Sequence, residues 1–141
     1  RLTKRKFFPK IHVYEKDFHR SSWTYLKNDN KVNIGISNAI QNMTKLHLYL
    51  ESKNIPMSLA VYPWPGQILY DKQDSFHVEI WRDFCVTRCK KFIDLFPLFF
   101  EEIEFLTKKE IVKKYYLKND VHFNKMGNKK IFDELIEINL F

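Results

Sequence analysis

With 141 residues, 45% of them apolar and 16% aromatic, the chain can bury the core of one domain, which excludes a disordered polypeptide. The net charge of +7 comes mostly from Lys spread among many Asn and Ile, so charge draws no compact basic patch and no nucleic-acid partner is expected. The densest apolar run, Phe92 to Phe100, is broken by Asp94 and Pro97; no membrane segment and a soluble chain are expected.

Arg1-Leu2-Thr3-Lys4-Arg5-Lys6 has neither the apolar core nor the cleavage site of a signal peptide. The chain opens without Met and reads as a piece of something longer, so the compartment stays open between cytoplasm and periplasm or exterior. Phe7, Phe8, Ile11 and Val13 form a weak apolar run in which a first strand would fit. Residues 1–32 are otherwise poorly defined.

From Asn33 to Lys53 the positions Ile36, Ala39, Ile40, Met43, Leu46 and Leu50 recur at three and four, which predicts a helix with one buried side. Asn54-Ile55-Pro56 ends it, because proline disfavours helical geometry in the residue before it. Met57 to Tyr62 reads as a buried strand, closed by a turn at Pro63-Trp64-Pro65-Gly66 that leaves an aromatic ring at the strand's C-terminal end.

A second helix is predicted from Ser75 to Lys90, with Val78, Trp81 and Phe84 on its stripe. Cys85 and Cys89 lie on one face of it; their spacing, without a second pair, is a poor zinc signal, and they read as small side chains on a half-buried surface. No metal site is expected. Phe92-Ile93-Asp94-Leu95 reads as a short strand leading into a loop at Phe96-Pro97-Leu98. Glu101 to Tyr115 is helical in parts, and a last helix runs from Lys125 to Ile138 with Met126, Ile131, Leu135 and Ile138 on one side.

Helix and strand in alternation imply an α/β fold with a mainly parallel sheet, in one domain spanning 1–141. Ligands of such folds gather at the carboxyl ends of the strands. Trp64 and Gln67, just past the first strand, are therefore candidate substrate contacts. His12, His19, His47 and His77 are scattered and read as surface or packing residues.

Asp120-Val121-His122-Phe123-Asn124-Lys125-Met126-Gly127-Asn128 sets a carboxylate beside an imidazole just before a helix. Imidazole carries a proton near neutral pH, and a neighbouring carboxylate fixes its tautomer and stabilises its charged form. Asn124 suits an N-cap, and Gly127 belongs with it in shaping the helix start.

This block resembles the last conserved block of the SGNH (GDSL-type) hydrolases. Ser58-Leu59-Ala60-Val61-Tyr62-Pro63-Trp64-Pro65-Gly66-Gln67 and Phe92-Ile93-Asp94-Leu95-Phe96-Pro97 extend the resemblance over residues 33 to 139, the C-terminal portion of such a domain. The resemblance implies a three-layer α/β/α sandwich, incomplete at its N-terminal part, that cleaves or transfers acyl groups through a serine ester. In it His122 would be the general base and Asp120 its orienting acid, with no cofactor required.

Two features depart from the family pattern. Only Val121 separates Asp120 from His122, where the family block has two residues. Neither Gly-Asp-Ser nor Gly-x-Asn-Asp occurs; the nearest imitation, Gly35-Ile36-Ser37, follows no buried strand. The nucleophile is expected upstream of Arg1, since half of such a sheet would leave strand edges uncovered.

The expected function is thus a serine esterase on a small-molecule or carbohydrate ester. An O-acyltransferase on a polysaccharide uses the same residues. A non-catalytic glycan-binding module built on exposed Trp64 is the remaining alternative, Trp81 being assigned to the core. Oligomeric state stays open.

Overall fold

The computed structural model describes residues 22–26 and 29–138. The apolar run from Phe7 to Val13, His12 and His19 lie outside the described residues. The described chain is α/β, with six α-helices and a two-stranded parallel sheet.

Helix α1, Asn30–Glu51, begins at Asp29, whose carboxylate accepts from the Lys31 and Val32 amides. Its C-terminus closes as a Schellman motif: Asn54 takes a left-handed φ of 56°, and Ile55 N–H donates to the Leu50 carbonyl. Pro56 follows the stop rather than making it. Ile40, Met43 and Leu50 pack on Met57, Phe84 and Cys85, while Leu46 is 44% exposed, so the buried stripe is narrower than periodicity predicts.

Strand β1, Ser58–Val61, pairs in parallel with β2, Lys91–Asp94, in the register Leu59 with Phe92 and Val61 with Asp94. Leu59 and Val61 face inward and Ser58 and Ala60 are exposed, so β1 is buried on one side only, not throughout. Parallel pairing brings the C-terminal ends of both strands to one edge.

Each strand runs directly into a helix where the prolines predict a turn or loop. Helix α2, Pro65–Tyr70, follows β1, and α4, Phe96–Phe100, follows β2. Proline in a first helical turn lacks only an N–H that has no partner there anyway, so Pro65 and Pro97 start helices here. Gln67 Oε1 accepts from Trp64 N–H, and Asp94 Oδ1 from Phe96 N–H, satisfying orphan amides at both starts.

Helix α3, Phe76–Cys85, stops five residues short of the predicted end. Cys85 and Cys89 are joined as a disulfide across the turn that follows, which corrects their reading as unlinked helix-face residues. A 3-10 turn, Glu101–Glu104, leads to α5, Lys108–Tyr115, and α6 is Lys125–Glu137.

The main core gathers Ile68, Val78, Phe96, Phe99, Ile111 and Tyr116, with Phe99 fully buried against Tyr115 and Phe123. Glu102 ties the surrounding elements together. Its carboxylate accepts from Lys114 Nζ at 2.9 Å, Lys130 Nζ at 2.7 Å and the Tyr115 hydroxyl, joining the 3-10 turn, α5 and α6. Burial alone would raise its pKa, but the hydrogen bonds from Lys130, Tyr115 and Lys114 prevail and lower it from 4.5 to about 2.

A carboxyl with a depressed folded pKa stabilises the fold fully above its unfolded value, and that contribution fades as pH falls from 4.5 toward 2. Glu102→Gln is expected to lower unfolding free energy by about 1–2 kcal/mol at neutral pH, after allowance for solvent screening. It should also flatten the acid limb in that window. Chemical denaturation at several pH values checks both, and parallel acid limbs in the two proteins would contradict the assignment.

Candidate active site

The loop between α5 and α6 carries the acid and the imidazole. Past α5 the backbone extends at Tyr116, which forms an antiparallel bridge with Phe123. Leu117 N–H donates to the His122 carbonyl at 2.9 Å and Asp120 N–H to the Leu117 carbonyl at 3.1 Å, closing the loop on itself. Asn119 takes a left-handed φ of 61°, a conformation Asn tolerates better than most residues.

Asp120 Oδ1 is the centre of this loop. It accepts from the Val121 amide at 2.6 Å, the His122 amide at 3.3 Å and His122 Nδ1 at 2.7 Å. An ionised carboxylate only accepts, so Nδ1 carries the proton and the neutral ring presents Nε2 as a base. These bonds, that from the ring first and those from the Val121 and His122 amides next, hold the Asp120 carboxyl below the ordinary aspartate range. The His122 side chain is 77% exposed, and Nε2 has no partner among the described residues.

Two residues of the motif set where the pair stands. Asn124 Oδ1 accepts from Met126 and Gly127 amides as the N-cap of α6, and its Nδ2 donates to the Lys114 and Tyr116 carbonyls at the end of α5. Gly127 lies so close beneath that junction that a Cβ would strike the Tyr115 carbonyl oxygen and come within 2.7 Å of the Phe123 ring. The Tyr116 hydroxyl donates to the Pro63 carbonyl, and the Phe123 ring stands 5.1 Å from that of Tyr62. The loop therefore sits beside the C-terminal end of β1.

Among the four residues singled out from sequence, Asp120 and His122 are brought together. Trp64 is half-buried, its ring edge to face with Trp23 at 5.1 Å. Gln67 is 4% exposed, its amide engaged by Trp64 N–H and Ser75 Oγ, so its demonstrated contacts are with the chain itself. Trp81 packs against the Met57 and Phe84 cluster. His77 is half-buried between Trp23 and Phe76, with burial lowering its pKa.

Sequence reasoning missed a cleft of about 860 Å³ between α2, α5 and the Leu117–Asn119 wall of the loop. Its one sequence signal was Lys109 and Lys113, one helical turn apart. None of the described serines hydrogen-bonds His122: Ser37 lies on the exposed side of α1, Ser58 at the opposite end of β1, and Ser75 is buried beneath Gln67. No group of three or more His, Cys, Asp or Glu among the described residues could hold a metal ion. The chain matches no family model, no curated protein and no solved structure.

Gly127→Ala is expected to destabilise the protein by about 1–3 kcal/mol, the overpacking at Tyr115 outweighing alanine's better helix propensity. A melting temperature equal to that of the parent would refute the close approach. For the pair itself, the Asp120 carboxyl should titrate below a free aspartate by carbon NMR and move back toward it in His122→Ala. An Asp120 titration indifferent to that substitution would show that the ring does not hold it.

Proposed function

We propose that Asp120 and His122 are the acid and base of a serine ester hydrolase of SGNH type. In this reading the described chain is the C-terminal portion of a three-layer α/β/α domain, and the nucleophilic serine comes from chain preceding it. The single observation that carries the reading is the 2.7 Å bond from His122 Nδ1 to Asp120, with Nε2 exposed at the C-terminal edge of a parallel sheet. Ligands of α/β proteins collect at that edge.

The chemistry follows from the tautomer. Nε2 removes the proton from the serine hydroxyl as its oxygen attacks the ester carbonyl, and Asp120 stabilises the imidazolium that forms. The imidazolium then protonates the leaving alcohol, and the acyl-serine remains. Water, activated by the same Nε2, hydrolyses it; a sugar hydroxyl in place of water makes the enzyme an O-acyltransferase.

A second reading, a glycan-binding module without turnover, is favoured by the Trp23 and Trp64 pair, of which Trp23 is 44% exposed beside the same edge. Sugar faces stack on exposed aromatic rings.

The full-length protein is expected to release p-nitrophenol from short-chain esters, with kcat reduced by about 10²–10⁴-fold in His122→Ala and in Asp120→Asn. Equal rates in parent and His122→Ala would remove the imidazole from the mechanism. Glycan binding by calorimetry that vanishes in Trp64→Ala, with no turnover of any ester, would select the second reading.

A further inference from the structure

An aromatic column rises from the core to the ligand edge and ends in Tyr62. Phe99, fully buried, stacks on Phe123 at 5.4 Å with the rings 10° from parallel, and Phe123 meets Tyr62 at 5.1 Å and 55°. Tyr116 packs 4.6 Å from the same Phe123 ring, and its hydroxyl donates to the carbonyl of Pro63, the residue after Tyr62. Tyr62 is thus held through its own ring and through its chain neighbour, yet 44% of it stays exposed. A ring held in place loses little conformational freedom when a ligand settles on it.

Its place couples it to the imidazole. Phe123 follows His122 in the chain, so the ring that supports Tyr62 belongs to the direct neighbour of the proposed base. Tyr62 itself directly follows β1, at the edge where both strands end. The openness of the ring decides what it suits. An alkyl or aryl group gains most by leaving water altogether, in an enclosed apolar cleft. A pyranose is apolar on its C–H face and polar around its rim, so it lays that face on a tyrosine ring while its hydroxyls keep their water.

Resting on the esterase reading above, we infer that Tyr62 is the platform for the sugar ring of an O-acylated pyranoside, seating the ester at the His122 edge and selecting ring esters over open-chain ones. Tyr62 binds and orients; it moves no proton.

The test assays the full-length protein on methyl tetra-O-acetylglucopyranoside and on glycerol triacetate, acetates of a ring and of an open chain. Tyr62→Ala is expected to raise KM for the pyranoside about tenfold relative to that for the triacetate, with kcat on the pyranoside changed by less than about twofold. Tyr62→Phe, which keeps the ring face, retains the parent's KM ratio. So does Tyr49→Ala, which removes an exposed ring from α1 instead. Circular dichroism confirms that the variants fold. Equal KM ratios in parent and Tyr62→Ala would overturn the inference, as would a fall in kcat alone or an equal loss in Tyr62→Phe. A larger loss on phenyl acetate than on the pyranoside would mark an aryl subsite and overturn it too.

Failure of the esterase reading looks different: no ester turns over, or His122→Ala keeps the parent's rates. The platform is then read from saturation-transfer NMR with methyl glucopyranoside, where binding that is lost in Tyr62→Ala supports it. No binding to the parent, or binding that survives in Tyr62→Ala, overturns it.

Discussion

The end of α5 and the start of α6 approach so closely at Gly127 that no side chain fits between them, and the placement of the acid and imidazole depends on that approach. The Tyr115 carbonyl lies over Gly127 and accepts from the Asn124 amide, so one carbonyl touches both the N-cap and the third helical residue of α6. Asn124 completes the junction by bonding backward to Lys114 and Tyr116 and forward to Met126 and Gly127. With both helices locked, the six residues between Tyr116 and Phe123 have little freedom left. Their ends are held by a bridge, and the loop must project where the helices aim it, beside the end of β1.

Electrostatics reinforce the junction from the other side. Lys114 and Lys130 converge on Glu102 and lie over the Tyr115 ring, so one carboxylate and one aromatic ring hold α5 and α6 at a common height. The excess positive charge of the chain is thus not uniform in its effect. On this face lysines are matched to a carboxylate and contribute to cohesion; around the cleft, Lys113 and Lys118 have no ion-pair partner among the described residues. A count of charges cannot separate these two roles, because the distinction lies in which helix face each lysine occupies.

What was legible in the sequence was what short-range chemistry encodes. The periodicity of α1, the two strands, predicted one residue beyond their ends at Val61 and Asp94, and the N-cap at Asn124 all follow from patterns within a few residues. Misreadings arose where a residue has two local meanings. Pro65 and Pro97 suit a turn or a helix start, and at both starts a side chain caps an orphan amide, Gln67 reaching back to Trp64 and Asp94 forward to Phe96. Gln67 looked like a ligand contact for the same reason: a polar residue after a strand serves equally as a cap. Cys85 and Cys89 read as helical neighbours because nothing local announces that α3 stops at Cys85, where the disulfide begins. The Glu102 hub and the cleft join residues from separate elements, and no pattern along the chain shows which will meet.

The spacing of the pair illustrates the division between local and distant causes. With a single residue between acid and imidazole, Asp120 Oδ1 reaches the next two backbone amides and then the ring, so the same oxygen sets the backbone turn and the tautomer. The bond thus forms across a single intervening residue. The junction at Gly127 sets that bond beside the C-terminal end of β1.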